Sequence, residues 1–216
     1  MKTTIKLLLA LAVILSAGCS EDSEGLASSL KGTAWLAERV ELKNGDNYGE
    51  TDFEPYWIQF MDGQFMALPV EGNYKIDKKA GTLSINNGEP YKYRITNNKM
   101  IWEAGIMRIT FKKVNPPNSK LLKGDWKIFS AEYFNKGTHE WWDIDPLPNS
   151  EVTFSSSTEG ALNGTPFTYK LMGNVITFTP GDKKIFITEL TLAKCTYIEF
   201  DNNTKKINKI EWRRKK

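Results

Sequence analysis

Histidine and cysteine are almost missing from this 216-residue chain, which has one of the first and two of the second. A single His139 excludes every multi-histidine metal site. Any Ser-His-Asp arrangement would also have to use it, and it sits in the turn-like run Lys136-Gly137-Thr138-His139-Glu140. No glycine-rich phosphate loop precedes a helical pattern. Charge of either sign is scarce in the net: 29 basic residues against 26 acidic leave +3, too little for a field that would draw in nucleic acid. A membrane-spanning run is absent as well. The longest apolar stretch lies within Ile5 to Ala17, about a dozen residues, where a spanning helix needs roughly 20. The expectation is a protein with no metal, no catalytic group and no nucleic-acid partner.

What is present begins at the N-terminus. Lys2 and Lys6 precede the apolar run, and Leu15-Ser16-Ala17-Gly18-Cys19 closes it. The last five residues resemble the lipobox of bacterial lipoproteins, which signal peptidase II cleaves just before the cysteine. The resemblance implies a signal peptide over residues 1–18 and a covalent lipid on Cys19, with no other cofactor. Two or more acyl chains make attachment effectively permanent, because each buried methylene contributes about 0.8 kcal/mol. The membrane is then a partner through lipid alone. Residues 19–29, with Ser20-Glu21-Asp22-Ser23-Glu24-Gly25, read as an acidic tether. Ser20 beside the cysteine fits lipoproteins released to the outer membrane, and the acids resemble an export tag to the cell surface; a periplasm-facing orientation stays open. With Cys19 acylated, Cys195 is the one remaining thiol, so no internal disulfide is expected.

An internal repeat organises the remainder. Leu30-Lys31-Gly32-Thr33-Ala34-Trp35 matches Leu122-Lys123-Gly124-Asp125-Trp126, Tyr74-Lys75-Ile76 matches Tyr169-Lys170-Leu171, and Ile106 to Lys113 matches Ile207 to Arg214. The offset grows from 92 to 95 to 101 residues, as small insertions in the second copy would produce. Asn115-Pro116-Pro117-Asn118-Ser119 cannot continue a sheet ladder. The predicted partition is a first domain at 30–114, a linker at 115–120 and a second domain at 121–216.

Each copy alternates apolar and polar residues, as in Met107, Ile109 and Phe111 against Arg108, Thr110 and Lys112. Turn signals such as Asn44-Gly45-Asp46, Asp62-Gly63 and Asn86-Asn87-Gly88 separate short runs. The reading is all-β: two tandem antiparallel meander barrels of about eight strands each, closed so that no edge is left unpaired. Gly-x-Trp at the start, Phe60-Met61-Asp62-Gly63, and Gly72-Asn73-Tyr74 resemble the lipocalin-like domains of bacterial lipoproteins. That resemblance implies a fold and an address without implying a reaction. Trp35 and Trp126 read as plugs at one end of each barrel, and Cys195 as a small buried residue. The basic run Arg213-Arg214-Lys215-Lys216 reads as a solvated end.

One segment carries binding chemistry: Glu140-Trp141-Trp142-Asp143-Ile144-Asp145. On a strand, Trp141 and Trp142 face opposite ways, so one ring enters the core and the other points outward. An outward ring flanked by Asp143 and Asp145 suits a sugar face and its hydroxyls. Trp141, Trp142, Asp143 and Asp145 are therefore the candidate ligand-binding residues of a non-catalytic, lipid-anchored envelope protein, with a glycan or another envelope protein as partner. One alternative is a carrier holding a small apolar ligand inside a hollow barrel. A further one is a hydrolase using Asp143 and Asp145, which the same strand face would bring together.

Overall fold

The structure, a computed structural model, describes residues 30–67, 71–96, 98–145, 149–181, 183–201 and 204–216. The lipidation motif, Cys19 and the tether lie outside the described residues. The period-two patterning resolves into β1 (Ala34–Asn44), β2 (Asn47–Thr51), β3 (Trp57–Phe60), β4 (Gln64–Ala67), β5 (Glu71–Asp77), β6 (Thr82–Ile85), β7 (Tyr91–Thr96), β8 (Lys99–Ala104) and β9 (Met107–Val114) in the first half. A 3-10 turn, Ser119–Leu121, follows. The second half contains β10 (Gly124–Asn135), β11 (Glu140–Asp143), β12 (Glu151–Phe154), β13 (Glu159–Leu162), β14 (Thr165–Met172), β15 (Val175–Thr179), β16 (Lys184–Leu190), β17 (Lys194–Asp201) and β18 (Lys206–Arg214).

These form two closed eight-strand antiparallel barrels. Each half shows nine segments for eight barrel positions because β2 and β3 both pair with β1, and β11 and β12 both pair with β10. Pairing of β1 with β9 and of β10 with β18 closes each meander. Both closures carry a register shift at the same place, between Ala37 and Arg39 and between Ile128 and Ser130. A bulge there sharpens the twist a small barrel needs.

The inward phase of each strand fills its barrel with side chains. Trp35, Phe60, Leu83, Met100 and Phe111 are fully buried in the first core, and Trp126, Phe154, Ile176 and Cys195 in the second. Trp35 donates to Thr33 Oγ1 at 2.8 Å and Trp126 to the Leu122 carbonyl at 2.7 Å, so both plugs keep their indole N–H satisfied. The repeated tyrosines act alike: Tyr74 donates to the Met61 carbonyl and Tyr169 to the Ser156 carbonyl, each at 2.8 Å.

In the terminal basic run Arg213, Lys215 and Lys216 are exposed, as a solvated end would be, whereas Arg214 is packed. Arg214 lies over the Trp126 ring at 4.3 Å and donates to the carbonyls of Leu192, Lys123 and Leu121. Gly124 makes room for it: with φ at +128°, a Cβ there would sit 2.1 Å from Arg214 Nη1. Arg213 stacks on Phe129, and Lys215 pairs with Glu151 at 2.8 Å.

The two barrels meet along an apolar seam. All four residues of β3 are buried because Ile58 and Phe60 point into the first barrel while Trp57 and Gln59 face the second. Trp57 stacks on Phe186 at 4.5 Å with the rings 8° from parallel. Gln59 Oε1 accepts from the Asn174 backbone N–H at 3.0 Å, and Asn174 Nδ2 donates to the carbonyls of Asn115 and Ile187, both at 2.9 Å. Ion pairs Lys136–Glu54 and Lys184–Glu71 flank the seam.

Candidate functional site

The Trp141-Trp142 pair lies on β11, which folds back on the end of β10. Phe134 pairs across with Trp141 on one face, and Tyr133 with Trp142 on the other. The two rings do diverge, but neither enters a barrel core. Trp141 is half-buried against the seam, 5.6 Å edge-on from Phe134, with Lys209 Nζ 4.7 Å over its ring. This corrects the expectation of an inward core tryptophan, because β11 lies at the rim where its outer face meets the apolar seam. Trp142 remains 44% exposed, 6.1 Å from Tyr133, and Lys206 Nζ lies 3.9 Å over the Tyr133 ring.

Asp143 is the last residue of β11, opposite Glu132, and is exposed. Asp145 is also exposed but falls in a bend beyond the strand. The expected strand-face carboxylate pair therefore does not form, since the ladder stops before Asp145. His139 occupies the hairpin turn at φ 57°, exposed. It borders a shallow depression of ≈ 230 Å³ with residues 50–53 of the first barrel. A second depression of the same volume lies outside β4 and β5, bordered by Gln64, Glu71 and Asn73. Among the described residues no three His, Cys, Asp or Glu side chains gather as a metal site would require. Cys195 is buried, and desolvation first, then the Glu189 charge, pushes its thiol up to about 12.

Two further polar residues face inward near the same rim. Glu199 shares the phase of Tyr197, and Asn208 that of Ile210, both core residues of the second barrel. Glu199 is 6% exposed and Asn208 9%. Asn208 Nδ2 donates to Glu199 Oε1 at 3.3 Å, and Lys183 Nζ lies 2.8 Å from Glu199 Oε2. That ion pair is poorly aligned for a hydrogen bond, so Oε2 has no donor of its own. Sequence reasoning missed both residues, although a carboxylate and an amide in the apolar phase of two strands was a visible signal. No known family model and no curated protein matches the chain.

Proposed function

We propose that this protein is a lipid-anchored, non-catalytic binding module of the bacterial cell envelope, held at the outer membrane through Cys19, with a glycan as partner. The observation that supports it best is Trp142: a large ring left 44% exposed beside Tyr133, on a hairpin built into a barrel. Exposed aromatic rings on rigid elements provide stacking area at little entropic cost. Asp143, next in the chain and exposed, lies on the opposite face of β11 from Trp142, so the stacking ring and not the carboxylate carries the contact.

The filled barrel cores support this reading over the apolar carrier, because a carrier needs interior space that Phe60, Phe111, Phe154 and Trp212 occupy here. The position of Asp145 in a bend beyond the strand that carries Asp143 weakens the hydrolase reading. Two experiments test the proposal. Cys19→Ser should abolish acyl labelling and membrane partition; a normally acylated product sinks the anchor. Trp142→Ala should weaken retention on immobilised envelope polysaccharide roughly tenfold, as the loss of one stacking contact implies. Unchanged retention removes Trp142 from the binding surface.

A further inference from the structure

We infer that the glycan contact is not Trp142 alone but a continuous row across four strands of the second barrel, Trp142–Tyr133–Asn208–Glu199, and that its ligand is an uncharged oligosaccharide. The inference rests on the proposed glycan-binding role and adds to it the ligand class and the buried end of the site. The register carries it. Tyr133 pairs with Trp142 on one side and with Asn208 on the other, and Asn208 pairs with Glu199. All four belong to the inward phase of their strands, continuing Ala131, Ile210 and Tyr197. Neighbouring strands lie about 4.8 Å apart, so the row extends roughly 14 Å, a length suited to a short oligosaccharide.

Its character changes along that length from exposed ring to buried carboxylate. Trp142 is the open end, whereas Glu199 is almost fully buried and its Oε2 meets the half-exposed Lys183 ammonium at 2.8 Å outside hydrogen-bond geometry, so its best donor is still to be supplied. Burying an acceptor unsatisfied is costly unless something supplies the donor. A saccharide does so: its hydroxyls donate to a carboxylate and exchange hydrogen bonds with an amide, while its C–H face stacks on an aromatic ring. Lys183 pairs with Glu199, Lys209 with Glu132 on the adjoining outer face, and Lys206, over the Tyr133 ring, stands opposite Asp201 in the strand register, so cationic and anionic side chains along the rim match and favour no charged ligand. Lys183 is the side chain that must swing aside, and it is more than half exposed.

The other copy supplies the internal control. The same register positions in the first barrel are Gly49, Leu42, Met107 and Ala104, with neither an aromatic ring nor a hydrogen-bonding side chain. The duplicated scaffold therefore does not need Trp, Tyr, Asn and Glu there to close a barrel.

The test uses purified full-length protein and a panel of soluble neutral hexose and N-acetylhexosamine oligosaccharides, with uronic-acid oligosaccharides as charged counterparts. Binding is read by calorimetry and tryptophan fluorescence. At least one neutral oligosaccharide should bind. Trp142→Ala should weaken it roughly tenfold, and the isosteric Glu199→Gln by tenfold or more, since hydrogen bonds to a charged group are the stronger kind. Leu42→Ala in the first barrel should change nothing. If Glu199→Gln does not fold, Asn208→Leu tests the same row. Loss with Trp142→Ala but none with the row variants overturns the row and leaves the surface ring standing. Preference for uronic acids overturns the ligand class. Failure of the whole panel to bind overturns both the row and the glycan reading.

Discussion

The first and second barrels share strand order, closure, bulge position, plug and tyrosine strap, and they part company at their two ends. At the plugged end, Trp126 is roofed by Arg214, whereas the residue opposite Trp35 is Lys113. Thr33 Oγ1 takes the Trp35 indole N–H, and among the described residues no cation–π contact covers the ring. At the other end, the first barrel is lined by Leu42, Met107 and Ala104 where the second has Tyr133, Asn208 and Glu199. Features common to both copies are what the fold requires; features confined to one are free to serve something else. By that criterion the rim of the second barrel is the place to look for function.

The sharpest way to break the comparison is at the shared plugs. Trp35→Ala and Trp126→Ala should each cost about 3–5 kcal/mol in urea denaturation, because each leaves a large cavity under a closed sheet. If only one of the two is severe, the plugs are not equivalent. The roof should separate the copies: Arg214→Ala removes three carbonyl contacts and a cation–π contact, an expected loss of about 1–3 kcal/mol. Lys113→Ala should stay within about 0.5 kcal/mol.

The buried tyrosines sharpen the contrast further. Tyr169 and Tyr93 are equally buried, at 6% exposure, but Tyr169 donates to Ser156 while the Tyr93 hydroxyl has no hydrogen-bond partner among the described residues. Tyr169→Phe should cost about 1 kcal/mol, and Tyr93→Phe close to nothing, by thermal melts.

Cys195, facing Trp212, holds the position that Met100 occupies opposite Phe111. Its folded thiol, raised from 9.0 to about 12, keeps a proton that the unfolded chain releases. Its contribution to stability is therefore complete below about pH 9 and lost as pH rises toward 12. Cys195→Ala should flatten that alkaline limb relative to the parent protein, read as urea midpoints against pH. At Trp142 too the effect on folding should be small: replacement by Ala should change stability by no more than about 0.5 kcal/mol.

Much of the architecture was legible because period-two alternation and turn chemistry act locally. Met107 to Lys112 announces its two faces without help from any other strand, and the matches at Trp35/Trp126 and Tyr74/Tyr169 set the repeat. The rim was legible only in part. Trp141 and Trp142 stand out as adjacent rings, but which packs depends on the seam, and the seam depends on Trp57 meeting Phe186 across 129 positions of chain. Glu199 and Asn208 join Trp142 only through three strand registers, one of which, β10 with β18, is the closure of the barrel itself. Arg214 looked like a tail for the same reason: its partners Leu121, Lys123 and Leu192 become neighbours only once the sheet has curled.

The burial of Leu30 has a mechanical meaning. It is fully enclosed in the first core, its carbonyl accepts from the Thr33 hydroxyl and backbone N–H, and it is the first described residue ahead of β1. A pull transmitted through Leu30 reaches β1 end-on, while β1 is laddered to β3 on one side and β9 on the other. Tension along a strand held on both flanks loads many hydrogen bonds together, as a lap joint does, instead of opening them singly like a zip. Through the doubly buried β3 the same load passes to Phe186 and the second barrel. Were the proposed anchor at Cys19 and the proposed contact at the rim both in use, drag between them would fall across these seams.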